Sequence, residues 1–301
     1  MSDPTSVVTG TPQVSDDRPA RRRSVLRDLL RRPGFSIPAA VVALLAVIAA
    51  FPAPFAGLFG HGDPTACDLT HSGMPAASGH PFGFDIQGCD LYAQVIYGAR
   101  PSMTIGIVVT AATLVLSITF GLLTGYYGGL LDTIFGRVID VFYGFPFMVA
   151  AIVILTALGS HSIWAVSGTL IAFSWPTMTR VMRGSVIATK NLEYVRAARA
   201  LGASNTRIMV RHIMPNAVSP VLVLASLMVG GVIAGEASLT YLGVGLRAPS
   251  ISWGIQLNTA QSYFLSNPSL LVYPAVFLCV TVLSFVLVGD AVRDVIDPKT
   301  R

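Results

Sequence analysis

The sequence predicts an all-α membrane protein with six transmembrane helices, and three observations carry that expectation. Of 301 residues, 53% are hydrophobic and only 12% are charged, where soluble domains carry about 25% charged residues; the mean hydropathy is +0.66. The apolar residues gather into six runs near the ~20 residues that cross a hydrocarbon core. Lys and Arg crowd into alternate intervals between those runs.

In chain order, residues 1–17 are rich in Ser, Thr, Asp, Pro and Val and lack Lys and Arg, the composition of a disordered tail. Over 18–32, Leu26, Leu29 and Leu30 recur at helical spacing opposite Arg27, Arg31 and Arg32, which predicts an amphipathic helix on the inner leaflet. The six expected spans are 37–58, 103–126, 140–158, 163–182, 217–241 and 270–289. The chain therefore divides into a tail (1–17), a segment with the amphipathic helix, first span and an enlarged outer loop (18–101), a membrane core (102–291) with an inner loop at 183–215, and a C-terminal tail (292–301). Gly121, Gly125, Gly230, Gly231 and Gly235 lie within spans, where small residues let helix backbones approach closely.

Positive charge sets the expected orientation, because Lys and Arg are retained on the cytoplasmic side. With the N-terminus inside, the inner intervals hold seven cations from Arg18 to Arg32, then Arg137, seven from Arg180 to Arg211, and Arg293, Lys299 and Arg301. Only Arg100 and Arg247 fall outside, so both termini are expected in the cytoplasm of a multi-pass bacterial inner-membrane protein. Anionic lipid at the inner face accounts for the net charge of +5, with no nucleic-acid partner required.

Three cysteines are present. Cys279 falls in the last span and reads as a small buried hydrophobe. Cys67 and Cys89 share the first outer loop, the one stretch that meets an oxidising compartment, so a disulfide is expected there, with two free thiols or a metal site as the alternatives. His61, His71 and His80 lack metal-ligand spacing, and no metal is expected.

Catalytic signals are missing. Lys190 sits between Thr and Asn and Lys299 follows Pro, so neither completes a phosphate-binding loop, which needs Lys after Gly and before Ser or Thr. The chain reads as non-enzymatic and as binding no cofactor directly. Asp140, at the inner boundary of the third expected span, and Glu236, toward the outer end of the fifth, are possible structural or pathway acids.

Most information lies in the inner loop. Asn191 is placed to cap a helix in which Tyr194, Ala197, Ala198 and Leu201 recur at i, i+3, i+4 and i+7, opposite Glu193, Arg196 and Arg199. Gly202 stands where a helix C-cap belongs; Ser204 can cap a second short helix to Met214, ended by Pro215. Two short helices at an angle form a knob suited to a groove in another protein, against the alternative of an amphipathic segment lying on lipid.

The run Glu193-Tyr194-Val195-Arg196-Ala197-Ala198-Arg199-Ala200-Leu201-Gly202-Ala203, followed by Arg211-His212-Ile213-Met214-Pro215-Asn216, resembles the EAA loop of binding-protein-dependent ABC importer permeases. More narrowly, the chain is similar to the C-type permease subunits of dipeptide, oligopeptide and nickel importers. That similarity runs through His80-Pro81-Phe82-Gly83, Ile96-Tyr97-Gly98-Ala99-Arg100, Gly235-Glu236-Ala237-Ser238-Leu239, Leu242-Gly243-Val244-Gly245, Ser252-Trp253-Gly254 and Gly289-Asp290-Ala291-Val292-Arg293-Asp294. Cys89-Asp90 stands where such permeases usually have Arg-Asp.

The resemblance implies a type I ABC importer permease fold and a coupling role for Glu193, Tyr194, Ala197, Ala198, Leu201 and Gly202 against an ATPase. It implies as partners a second permease subunit forming a heterodimer, two ATPase subunits or one fused ATPase with ATP and Mg, and an extracytoplasmic solute-binding protein. Peptide is the expected cargo, with nickel or another small solute as the alternative. An ion-coupled secondary transporter is the competing class; no clustered intramembrane charge favours it.

Overall fold

The computed structural model describes residues 33–60 and 62–296. The expected disordered tail, the amphipathic helix at 18–32, His61 and residues 297–301 lie outside them. Twelve α-helices carry the described chain: α1 Pro33–Ala50, α2 Pro52–Ala56, α3 Leu91–Tyr127, α4 Gly129–Tyr143, α5 Phe147–Leu158, α6 Ile163–Thr189, α7 Glu193–Ala200, α8 Asn205–Arg207, α9 Met214–Ala217, α10 Ser219–Tyr241, α11 Trp253–Ala260 and α12 Ser269–Ile296. Among the described residues, strand geometry is limited to isolated bridges in the outer loop.

Four of these helices (α1, α3, α10, α12) are long and apolar enough to cross a membrane, and the bent pair α4–α5 raises the number to five. Helix α6 has the length, 27 residues, but Ser167, Thr169, Ser174, Thr177 and Thr179 make it less apolar. Six spans are thus not reached by length and apolarity alone.

Span boundaries depart from expectation at prolines. The first run breaks at Phe51, which lies outside the helical region at φ −129° and ψ 67° ahead of Pro52, because a residue preceding proline is driven out of that region. The third breaks at 144–146, where Pro146 precedes α5 and the two halves cross at 89°. Helix α3 shows the reverse. It begins at Leu91 rather than Met103 and runs through Pro101 for 37 residues. Asp90 caps it, its Oδ1 accepting from the Tyr92 and Ala93 amides at 2.9 and 3.4 Å. Arg100 within it donates to the carbonyls of Ala49 and Ala50 at the end of α1, satisfying acceptors that a helix C-terminus leaves open.

The bundle packs α3 along α6 and α10, α10 along α12, and α12 along α1. A Cβ on Gly121 would lie 2.6 Å from Met182 Cβ, and one on Gly125 2.8 Å from Val186 Cβ; at Gly230 it would lie 3.0 Å from the Val282 carbonyl. These glycines permit the close helix contacts. Gly231 and Gly235 do not: nothing lies within 4 Å of a Cβ at Gly231, and only Leu170 at 3.6 Å at Gly235. Gly231 faces open space, and Gly235 makes an ordinary contact without crowding. Cys279 also departs from expectation, being exposed on α12.

Candidate functional site

The inner loop is built from α6 outward. Below Thr189, Lys190 Nζ donates to the Gly125 carbonyl at 2.7 Å, tying the loop's entry to the end of α3. Asn191 does not cap α7: its side chain donates to Ile187 of the preceding turn at 3.0 Å, and Leu192 takes the cap position without a side-chain bond. The competing acceptor one turn back wins because Asn191 still lies beside α6.

Helix α7 ends as Gly202 dictates. With φ at +79°, Gly202 adopts the left-handed conformation open to residues without a Cβ. The Ala203 amide then donates to Ala198 O at 3.1 Å and the Gly202 amide to Arg199 O at 3.0 Å, the paired 6→1 and 5→2 bonds of a Schellman ending. Ser204 Oγ next accepts from the Arg207 amide and opens α8. The second helix does not stop at Pro215. It widens into a π turn over Ile208–Ile213 and continues as α9, with Pro215 in the first turn. A proline lacks the N–H that would continue an i→i−4 ladder, and the wider turn absorbs that defect.

One residue anchors α7. Val195 is 0% exposed and packs in a cluster with Met182, Val186, Ile208, Met209 and Ile213. The face expected to be apolar points the other way: Tyr194 is 42% and Leu201 88% exposed, while Ala197 and Gly202 are exposed and Ala198 is half-buried. Glu193 sits exposed in the first turn, where a carboxylate is favoured by the helix dipole. Tyr126 braces the tip, donating to Asn205 Oδ1 at 2.7 Å beneath the Arg199 guanidinium, 5.8 Å from the ring centre. The result is a knob with a buried root and an apolar crown.

The other expected residues lie elsewhere. Asp140 pairs with Arg180, whose guanidinium also stacks 4.5 Å over Tyr143; the neighbouring pair Asp132–Arg183 joins α4 to α6 in the same way. Glu236 is 0% exposed and accepts from Ser102 Oγ at 3.1 Å and Thr240 Oγ1 at 2.9 Å, so it bonds α10 to α3. Between α5, α6 and α10 a cavity of about 280 Å³ is lined by Phe147, Leu170, Phe173, Met228, Gly231 and Gly235. Sequence reasoning assigned the two glycines to packing and named none of the other residues.

At the opposite end of the bundle, Cys67 and Cys89 are joined by a disulfide with Cα atoms 4.0 Å apart. Around it, Asp68 Oδ1 accepts the Thr70 amide, which holds the Asp68 carboxyl below its ordinary range. Asp90 adds a bond to His80 Nδ1 at 3.0 Å. Among the described residues, no three His, Cys, Asp or Glu side chains converge as metal ligands.

The model of the family described as binding-protein-dependent transport system inner membrane component matches residues 117–301. The oligopeptide transport system permease protein OppC of Bacillus subtilis (strain 168) is 33% identical over 278 residues, 92% of this chain and 91% of its own length. The glutathione transport system permease protein GsiD of Pectobacterium atrosepticum is 37% identical over 225 residues, covering 75% and 74%. In fold, the chain is similar to the MetNI methionine ABC transporter in its inward-facing form, with a TM-score of 0.55 at 18% identity over 67% of this chain and 96% of that one.

Proposed function

The chain belongs to the binding-protein-dependent transport system inner membrane components, and from that premise we propose that it is one permease half of an ATP-driven peptide importer whose inner knob docks into an ATPase subunit. As a permease subunit it is not itself an enzyme; ATP and Mg are bound by the partners. The single observation that carries the docking reading is the knob's division of labour. Val195 supplies its root, while Tyr194, Ala197 and Leu201 remain exposed beside the bare turn at Gly202. Apolar surface left open on a well-anchored element marks an interaction site.

The partners of this reading are a second, related permease subunit forming a heterodimer, two ATPase subunits or one fused ATPase, and an extracytoplasmic solute-binding protein. The termini and the knob face the cytoplasm, and the Cys67–Cys89 loop faces the oxidising side. Helix α6 provides the sixth crossing, with Ser167, Thr169 and Thr179 buried, as in the bond from Thr179 to Ser117 on α3. Peptide cargo is supported by the relatives' own designations as oligopeptide and glutathione permeases. The cavity beside Gly231 and Gly235 is the stretch of pathway contributed by this half, where bare backbone leaves room for a solute to pass.

Mechanically, inward- and outward-open arrangements must lie close in energy. ATP binding must favour one of them by several kcal/mol through the docked knob. The knob transmits that bias because it is rigid: a buried root, a Schellman ending and the Tyr126 brace leave it to move with α3 and α6. The test is Leu201→Asp in the reconstituted importer. Loss of ATPase co-purification and of peptide uptake, with normal membrane insertion, is expected; unchanged uptake overturns the docking assignment.

A further inference from the structure

We propose that Arg180, on the wall leading from the cavity between α5, α6 and α10 to the inner face, is a binding site for the free carboxylate of a peptide in transit, with Asp140 as the counter-charge that lets it leave. The proposal deepens the importer reading and rests on it.

The geometry places this ion pair on the pathway. Thr177, Arg180 and Gly184 recur on α6 at i, i+3 and i+7, and all three are exposed; nothing lies within 4 Å of a Cβ at Gly184. Thr177 lines the cavity and is hydrogen-bonded to Tyr143 Oη at 2.9 Å, and the Tyr143 ring carries the Arg180 guanidinium. Cavity and ion pair are therefore one continuous surface. At 1.5 Å per residue, Arg180 stands about 13 Å short of the end of α6 at Thr189. The side chains of Arg180 and Asp140 are 51% and 55% exposed. Charges open to that extent within a span face water rather than hydrocarbon, and in a permease half that water is the pathway.

Two Asp–Arg pairs join α4 to α6, and their bonding separates their roles. Arg183 meets Asp132 fork to fork, Nε donating to Oδ1 and Nη2 to Oδ2, the two-bond geometry that fixes a guanidinium on a carboxylate. Asp132 is less than half as exposed as Asp140. Arg180 gives Asp140 a single bond, from Nη2 to Oδ1. A guanidinium carries five N–H donors, so most of those on Arg180 have no hydrogen-bond partner among the described residues. An incoming carboxylate takes two of them in parallel. Asp140 stays beside it as a competing acceptor, and a site on a conduction path must bind weakly enough to release. An ammonium fits less well, because Asp140 offers it one open oxygen beside a cation that repels it.

The experiment places Thr177→Cys in a Cys279→Ser background and follows its reaction with a hydrophilic thiol reagent in the detergent-solubilised, nucleotide-free importer without binding protein. The cysteine should react, and trialanine should protect it at concentrations about three- to tenfold lower than trialanine amide does, the range for a charge-assisted bond at a half-exposed site. Adding Arg180→Gln should abolish that difference. A cysteine that does not react overturns the aqueous wall and the site with it. Absence of protection, or equal protection by the acid and the amide, overturns the carboxylate site without recourse to the Arg180 variant. A difference that survives Arg180→Gln overturns the assignment to Arg180 and leaves its bond to Asp140 a helix staple. ATP-driven peptide uptake into proteoliposomes separates the two readings: protection without uptake overturns the importer reading, and uptake without protection overturns the site alone.

Discussion

The knob at 191–215 and the stapled loop at 62–90 both stand outside the helical bundle, yet they hold their shapes by different means. The knob has a hydrophobic root: Val195, Ile208 and Ile213 are buried against α6, and its apolar crown is surplus to folding. The stapled loop has a thinner root, made by Phe82, stacked 4.0 Å from Tyr273 of α12, and by Ile86 against Leu91 and Leu270. Leu69 and Met74 are exposed, and the loop is held by the disulfide, by glycines at positive φ such as Gly88, where a Cβ would collide with the Asp68 carbonyl, and by side-chain oxygens that accept backbone amides. Where burial alone holds the fold, exposed apolar residues point to a partner; where only one edge of a loop is buried, covalent closure holds the rest.

The largest expected effect breaks the knob at its root. Val195→Asp places an unpaired carboxylate in an apolar cluster and should destabilise the loop by about 3 kcal/mol or more. Protease accessibility around Arg196 and Arg199 should rise sharply, with loss of uptake. The contrast predicts no such sensitivity for polar substitutions at Leu69.

Removing the staple is the matching test on the other side. Replacing Cys67 and Cys89 with Ser should lower the loop's stability by up to roughly 3 kcal/mol in the chain-entropy model, read as faster hydrogen exchange over 62–90. Exchange in the knob should not change. Non-reduced peptide mass spectrometry of the native protein should recover the Cys67–Cys89 pair, with Cys279 free.

A smaller effect sharpens what the crown does. Gly202→Val forces a β-branched residue to φ +79°, a strain on the order of 1–2 kcal/mol. The knob should persist with an altered tip, so ATP hydrolysis continues while uptake falls; normal uptake contradicts the coupling role. Smallest of all is Glu193→Ala, about 1 kcal/mol or less for an exposed charge, visible as a modest drop in coupling ratio.

The same comparison explains what the sequence disclosed. Gly202 and Ser204 were legible because each acts through its own backbone, as was the helical register of α7. The outward presentation of its small and aliphatic residues was also expected; the residue that roots it was not named. Only the position of α6 reveals that Val195 is the fully buried residue of α7, with Ala198 half-buried. Long apolar runs hid their breaks: the expected span at 140–158 reads continuously through Phe145 and Pro146. Conversely Gly98, Arg100 and Pro101 suggest a loop, yet the capped start at Asp90 and packing of α3 against α1 and α11 override them. Helix α11 was missed because eight residues with Gly254 and Asn258 carry no period of their own; Trp253 and Gln256 hold it to α3. Cys279 was placed inside on composition, but a membrane helix exposes apolar side chains freely.

The central claim is that Leu201 meets the ATPase. In proteoliposomes of the complete importer, a Leu201→Cys substitution in a Cys279→Ser background, treated with a short bifunctional thiol reagent, should give one adduct with the combined mass of this chain and an ATPase subunit. An impermeant reagent should reach that cysteine only from the cytoplasmic side in the isolated permease. Labelling from the side of the Cys67–Cys89 loop, or an adduct with the solute-binding protein in place of the ATPase, would contradict the account.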